Sequence, residues 1–276
     1  MSQQITPEIL RWITAQAMAG HTAEAVMQAM LAGGWHDDVA RSAIERAKRG
    51  SLKEPPPPMP VPGVDLSVTP WRVQTCDREV QVLASMKLPR LLVFGNVLSS
   101  EECDSLIELA RPRLSRSPTI DNWNGGDEVS DARTSEGAFF EPGESDLLRR
   151  IDLRIADLVE WPVGHGEGLQ VLRYAPGAQY EPHHDYFDPT VPGAAAMLKR
   201  GGPRVATLLM YLNTPCKGGS TTFPDVGFDV APIKGNAVFF SYSRPHPITR
   251  TLHGGAPVIE GEKWVATKWL RERPFA

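Results

Sequence analysis

The chain has 276 residues, with 29 Lys+Arg against 33 Asp+Glu, a formal net charge of −4. That length can bury a large core without disulfide staples, and that charge argues against a nucleic-acid binder held by counterion release. Cys76, Cys103 and Cys216 form no CxxC, no run approaches the ~18 apolar residues of a membrane span, and MSQQITPEIL lacks the basic and apolar regions of a signal peptide. The expectation is a protein of a reducing compartment, the cytoplasm, with neither nucleic acid nor membrane as partner.

The first fifty residues read as three short helices. Thr6 is an N-cap followed by Pro7 at N1, and Ile9, Leu10, Ile13 and Ala17 recur at helical spacing until Gly20. Thr22 caps a second helix carrying Val26, Met27 and Met30, stopped by Gly33-Gly34. Asp37 or Asp38 opens a third, with Val39, Ala40, Ile44 and Ala47. A bundle this small is marginal alone. Its rhythm resembles ubiquitin-associated-type bundles, and it is either a packing appendage or a module that binds a protein partner. Residues 51–63, SLKEPPPPMPVPG, hold six prolines and read as an extended linker. The division expected is therefore a helical bundle over 1–50, a Pro-rich linker over 51–63, and one larger domain over 64–276.

Within the larger domain, Ser99 and Glu102 form the capping box of a helix with Leu106, Ile107 and Leu109. A second helix carries the stripe Leu147, Leu148, Ile151, Ile155, Leu158 and Val159. Between them, DNWNGGDEVSDARTSEG (121–137) is polar and Gly-bearing, a mobile loop or hairpin of the kind that becomes a lid. From Leu169 the chain turns to strands: GLQVLRYAPG, RVATLLMYLN, GNAVFFSY and KWVATKWL. Helices first and strands after them predict an α+β domain, with helices packed on a β-sandwich or barrel.

Chemistry concentrates in YEPHHDYFDP. On a strand, His183 and Asp185 share one face and His184 points away, because the side-chain period is two. His253, in TLHGGAPV, is the candidate third ligand; the other late histidine, His246, stands between two prolines. Two His and one carboxylate with open positions suit non-haem Fe(II), and His2Asp also suits zinc. Ten residues after His253, Lys263 opens KWVATKWL. Alternation puts Lys263, Val265, Thr267 and Trp269 on one largely apolar face, so the lysine points inward and needs an anionic partner.

Several linked stretches, LQVLRYAPGAQYEPHHDYF, GGPRVATLLMYLN, GGSTTFPDVG, IKGNAVFF and LHGGAPVIEGEKWVATKWLRE, resemble the catalytic domain of prolyl 4-hydroxylases, members of the 2-oxoglutarate- and Fe(II)-dependent dioxygenases. The resemblance covers about residues 90–274 and leaves the N-terminal sixty outside it. It implies a double-stranded β-helix (jelly-roll) core with supporting helices. It implies iron ligation by His183, Asp185 and His253, and a 2-oxoglutarate pocket formed by Lys263, Tyr174 and Thr207, with Lys263 on the distal carboxylate. Lysine rather than arginine in that role places the chain with the collagen-type and plant-type branch. Tyr180, Arg204 and Trp269 match positions facing the substrate, and Arg133 falls in the family's flexible loop. The implied reaction is C4 hydroxylation of proline in a peptide or protein, with O2 and decarboxylation of 2-oxoglutarate to succinate; ascorbate protects the iron.

Two departures stand out. Alternation sets Arg204 and Thr207 on opposite faces, and both point inward only if Arg204 precedes the strand or a bulge intervenes. The chain also lacks the tandem helical repeats that bind peptide in animal collagen enzymes. Alternatives are the same chemistry on a free amino acid or other small molecule, and an inactive jelly-roll binding module. The linker is either a plain spacer or a proline-rich mimic of substrate that docks in the chain's own active site.

Overall fold

The structure is a computed structural model that describes residues 3–49, 55–66, 71–128 and 132–275. Helices α1 (Pro7–Met18), α2 (Ala23–Ala32) and α3 (Asp37–Arg49) form where local chemistry asks for them. The Thr6 hydroxyl accepts from the Ile9 amide and the Thr22 hydroxyl from the Ala25 amide, satisfying donors that a helix start leaves free. Leu10, Ile13, Val26, Met30, Ala40 and Ile44 interlock as a small core, and Trp123, from far along the chain, completes it.

The linker is a docked strap rather than a free spacer. Residues 50–54 lie outside the described residues; from residue 55 on, Met59, Val61, Val64 and Leu66 pack on the main core. The Met59 amide donates to the Ser243 carbonyl (2.7 Å) and the Gly63 amide to the Val159 carbonyl (2.9 Å). Among the described residues, none of 55–66 lines the cleft described below.

The main body begins with strands, contrary to the expectation of helices first: β1 (Arg72–Gln74), β2 (Glu79–Met86) and β3 (Arg90–Gly95) precede α4 (Ser100–Ala110). The capping box at Ser99 and Glu102 is complete in both directions. Next come β4 (Ser115–Arg116), β5 (Thr119–Ile120), β6 (Asp127–Glu128), β7 (Glu136–Phe140) and α5 (Asp146–Leu158). They are followed by β8 (Leu169–Tyr174), β9 (Tyr180–His183), the short α6 (Ala194–Lys199), β10 (Arg204–Tyr211), β11 (Lys217–Gly218), β12 (Thr221–Phe223) and β13 (Phe228–Val230). The chain closes with β14 (Ala237–Ser241), β15 (His253–Gly255), β16 (Val258–Glu260) and β17 (Lys263–Arg271).

Among the described residues, nine strands make the large sheet, in the order β1-β2-β3-β14-β10-β17-β8-β7-β4, and β13-β12-β15-β9 make a smaller one facing it. The pairings are antiparallel. This is the jelly roll expected, an α+β fold with helices on one side. Leu172, Val265 and Tyr211 of the large sheet meet Phe223 and Val230 of the small one. On the opposite face, Val171, Ala266, Leu208 and Phe239 receive Leu106 of α4 and Ile151, Ile155 and Leu158 of α5. Among the described residues no helix is long and apolar enough to cross a membrane.

One buried ion cluster ties α5 to the sheet's approach. Arg154 is 2 % exposed; it donates to Asp77 (2.6 and 2.8 Å), to Glu102 (2.7 and 2.8 Å) and to the Val97 carbonyl (2.8 Å). Its hydrogen bonds hold Asp77 below the ordinary carboxylate range; burial would raise Glu102, but the same guanidinium wins and lowers it. Arg154→Ala is expected to cost about 3 kcal/mol, because it removes the buried cation of two carboxylates and leaves them only the more distant Arg78 and the half-exposed Arg150. The check is a shift of the urea midpoint at unchanged m-value. Both carboxylates are depressed, so the stabilisation is present above their unfolded values and fades as pH falls below about 4. The gap between variant and parent should therefore narrow in acid.

Candidate active site

The two histidines meet because their strands pair. His253 on β15 is the direct cross-strand partner of His183 on β9, so both rings leave the small sheet on one face, 4.4 Å apart at their centroids. Asp185 lies just past the end of β9 rather than within it, so the local turn, and not strand alternation alone, delivers its carboxylate. One oxygen stands 3.5 Å from His183 Nε2 and the other 3.5 Å from His253 Nε2. The three ligand atoms lie within 4.8 Å of one another.

The surroundings prepare these groups as ligands. His183 Nδ1 donates to the Glu181 carbonyl (2.8 Å) and His253 Nδ1 to the Thr251 carbonyl (3.0 Å). A carbonyl can only accept, so each ring is fixed with its Nε2 lone pair turned to the carboxylate. Burial pushes His253 down to about 4, keeping it neutral. Burial alone would raise Asp185, but it is held below the usual carboxylate range by His253 and His183 when those rings carry a proton, and by the Arg204 charge. Two neutral imidazoles and a carboxylate with an open side fit Fe(II). His184 turns away: its ring stacks on Tyr186 at 4.5 Å, outside the cluster.

Thr207 is deeply buried, and its hydroxyl donates to Asp185 (2.7 Å) and contacts the Tyr242 hydroxyl (3.1 Å). That bond places Thr207 beside the carboxylate ligand, on the wall of the cleft. Arg204 and Thr207 do line the same cleft, because the β10–β17 register shifts between Arg204 and Ala206. This is the bulge that both pointing inward requires.

Lys263 is 3 % exposed and faces its cross-strand partner Tyr174, with Nζ 5.5 Å from that ring and 5.9 Å from the Tyr211 ring. Among the described residues it has no hydrogen-bonded or ionic partner, and burial pushes it down to about 7. A buried ammonium in that state fits an incoming carboxylate. The alternation read from the sequence holds along β17: Lys263, Val265, Thr267, Trp269 and also Arg271 line the cleft, while Trp264, Ala266 and Leu270 enter the helical core.

The cleft measures about 870 Å³ and joins the His–Asp–His cluster to Lys263, Tyr180, Arg204 and Trp269. Tyr180 stacks on His183 at 3.6 Å, and Arg133 lies 4.9 Å from the Tyr180 ring. Arg133 is itself buried and held by the Pro118 carbonyl, Ser135 and Gln170. Burial pushes the Tyr180 phenol up to about 12, so it remains a neutral donor. Arg204 is not a free cation: it donates twice to Glu167 (2.6 and 2.9 Å) and stacks on Trp269 (4.0 Å). Arg271 donates to the same Glu167 (2.6 Å).

Glu167 and Arg271 line the cleft, and the buried Tyr211 stands behind Lys263; sequence reasoning missed all three. Continued alternation flags Arg271 along β17, and Tyr211 two places beyond Leu209. Glu167 lies before β8 and carries no local signal.

Residues 169–271 match the model of the 2OG-Fe(II) oxygenase superfamily, a span that includes His183, Asp185, His253 and Lys263. Probable prolyl 4-hydroxylase 3 of Arabidopsis thaliana is 41 % identical over 203 residues, covering 66 % of this chain and 69 % of that protein. Prolyl 4-hydroxylase 1 of the same plant is 43 % identical over 206 residues, covering 67 % and 70 %. Among solved structures, a viral collagen prolyl hydroxylase from Paramecium bursaria Chlorella virus 1, in complex with 2OG, aligns with a TM-score of 0.50 and 31 % identity, over 66 % of this chain and 95 % of that one.

Proposed function

The chain belongs to the prolyl 4-hydroxylase family of the 2OG-Fe(II) oxygenase superfamily, and on that premise we propose that it hydroxylates C4 of proline residues within a polypeptide. The observation that carries this reading is the pairing of a His–Asp–His cluster with a buried Lys263 that, among the described residues, has no ionic partner, across one open cleft. Fe(II) held by His183, Asp185 and His253 would supply, with 2-oxoglutarate and O2, the oxidation that yields succinate, CO2 and hydroxyproline, with ascorbate keeping the metal reduced. The protein's own part is positioning. Thr207 steadies the Asp185 carboxylate, Lys263 holds the far carboxylate of 2-oxoglutarate, and Tyr174 walls that pocket. Tyr180, Arg204 and Trp269 present a rigid aromatic and guanidinium wall to the substrate.

A polypeptide fits this cleft better than a free amino acid. Aromatic walls suit a preformed polyproline II strand, which loses little entropy on binding. A free amino acid needs a charged clamp, yet Arg204 and Arg271 are both committed to Glu167. Mass spectrometry of proline-containing peptides and free proline, reacted side by side, is expected to show a gain of one oxygen on the peptides. Turnover of free proline with none on any peptide would overturn the reading.

We assign the catalytic unit to 64–276, joined through 51–63 to the bundle of 1–50. We place the reaction in the cytoplasm, supported by Cys76, Cys103 and Cys216 all standing free, two of them exposed.

A further inference from the structure

The N-terminal bundle has a partner inside its own chain. Trp123, on the polar loop between β5 and β6, is 5 % exposed and sits among Leu10, Ile13, Val26 and Met30 of the bundle. Its indole N–H donates to the His21 carbonyl between α1 and α2 (2.9 Å). The neighbouring Asn122 side chain donates to the Lys48 carbonyl near the end of α3 (3.0 Å). Three helices thus grip two consecutive loop residues through one apolar plug and two hydrogen bonds.

The same loop is pressed against the segment that opens α6. The Gly193 amide donates to the Asn122 carbonyl (2.8 Å). A Cβ on Gly193 would lie 2.4 Å from the Gly125 nitrogen, and one on Gly125 would lie 2.9 Å from Ala196 Cβ, so only glycines allow this approach. Gly125 also holds φ of +76°, a left-handed turn that glycine adopts without strain. The free faces of these pieces line the substrate cleft: Thr119, Asn122 and Gly125 from the loop, Ala196 and Met197 from α6, and Arg49 from the bundle itself. His183 and His253 stand on the paired strands β9 and β15, Asp185 just past β9, and Lys263 on β17, and none of them belongs to the apolar cluster of the bundle.

We propose that the bundle is a clamp on the cleft mouth: by seating Trp123 it holds the 119–126 loop against α6 and so determines how tightly a polypeptide substrate binds, without governing the metal or 2-oxoglutarate sites. Trp123 is a positioning residue acting through the loop. The substrate half of this inference rests on the polypeptide reading above. The loop half does not, because it is read directly by hydrogen exchange.

The test uses the full chain in three variants. Trp123→Ala is expected to speed amide exchange across 119–126 and 193–199, and to raise the peptide KM about tenfold while the 2-oxoglutarate KM stays within about twofold. Trp123→Phe keeps the apolar plug and should stay near the parent in both readouts. Ile13→Ala, in the bundle core and away from the cleft, should move the same two readouts in the same direction as Trp123→Ala, whether it loosens the bundle or unfolds it. Unchanged exchange over 119–126 in Trp123→Ala overturns the clamp. So does an unchanged peptide KM beside faster exchange, or a parallel rise of both KM values, which marks general damage. If the parent enzyme turns over no peptide, the polypeptide reading fails by itself, and the exchange data still decide whether the bundle holds the loop.

Discussion

Lys263→Ala raises the 2-oxoglutarate concentration for half-maximal turnover by about two to four orders of magnitude, the equivalent of the ~3–5 kcal/mol lost when one side of a buried ion pair is removed. The magnitude follows from where the ammonium stands. It stands beside Tyr174 and Tyr211, has no carboxylate partner among the described residues, and has been pushed down to about 7 by burial. A ligand carboxylate arriving there meets a charge that water does not screen. The iron site is built on other strands, so metal affinity should survive the substitution; an unchanged 2-oxoglutarate requirement would sink the role. The same argument fixes a pH dependence. In the free enzyme Lys263 is charged below about 7 and mostly neutral above it, whereas the bound carboxylate favours the charged form. Binding at about pH 8 should therefore take up close to one proton, and affinity should fall roughly tenfold for each further pH unit. Calorimetry in buffers of different ionisation heat reads the uptake, which should vanish near pH 6 and in Lys263→Ala.

His183→Ala abolishes iron binding and activity, whereas His184→Ala keeps the metal. Loss of an outer-sphere partner typically costs about 10–100-fold in metal affinity, so loss of one of three ligands should cost more. The adjacent residues make a sharp control, since both are half-buried histidines at the end of β9. Only His183 has its Nε2 turned to Asp185, paired across from His253 and locked by the Glu181 carbonyl. His184 instead stacks on Tyr186, with its Nδ1 buried and without a hydrogen-bond partner among the described residues. Metal titration of the two variants decides the assignment, and iron retained by His183→Ala but lost from His184→Ala would reverse it.

What could be read before any coordinates was what depends on neighbours in the chain. Thr6, Thr22, Ser99 and Glu102 announce helix starts because a cap acts over three residues. The inward face of β17 was legible because alternation is a property of the strand itself, and it made Lys263 stand out as a buried charge. Linked motifs from Leu169 to Glu272 carried the family, and with it the jelly roll, the iron ligands and 2-oxoglutarate. Where pairing between distant segments decides, the sequence was silent or misleading. It missed β1–β3, whose place follows from β3 pairing with β14. It gave no sign that the Thr207 hydroxyl would donate to Asp185. It left Arg204 and Thr207 in conflict until a bulge in β10 resolved it. It gave no hint that Glu167 would gather Arg204 and Arg271, three charges that are costly to bury singly and tolerable only together. Least of all could DNWNGG say where its tryptophan would go. An indole in a polar loop has no local reason to be buried, and only the folded chain brings the N-terminal helices close enough to receive it.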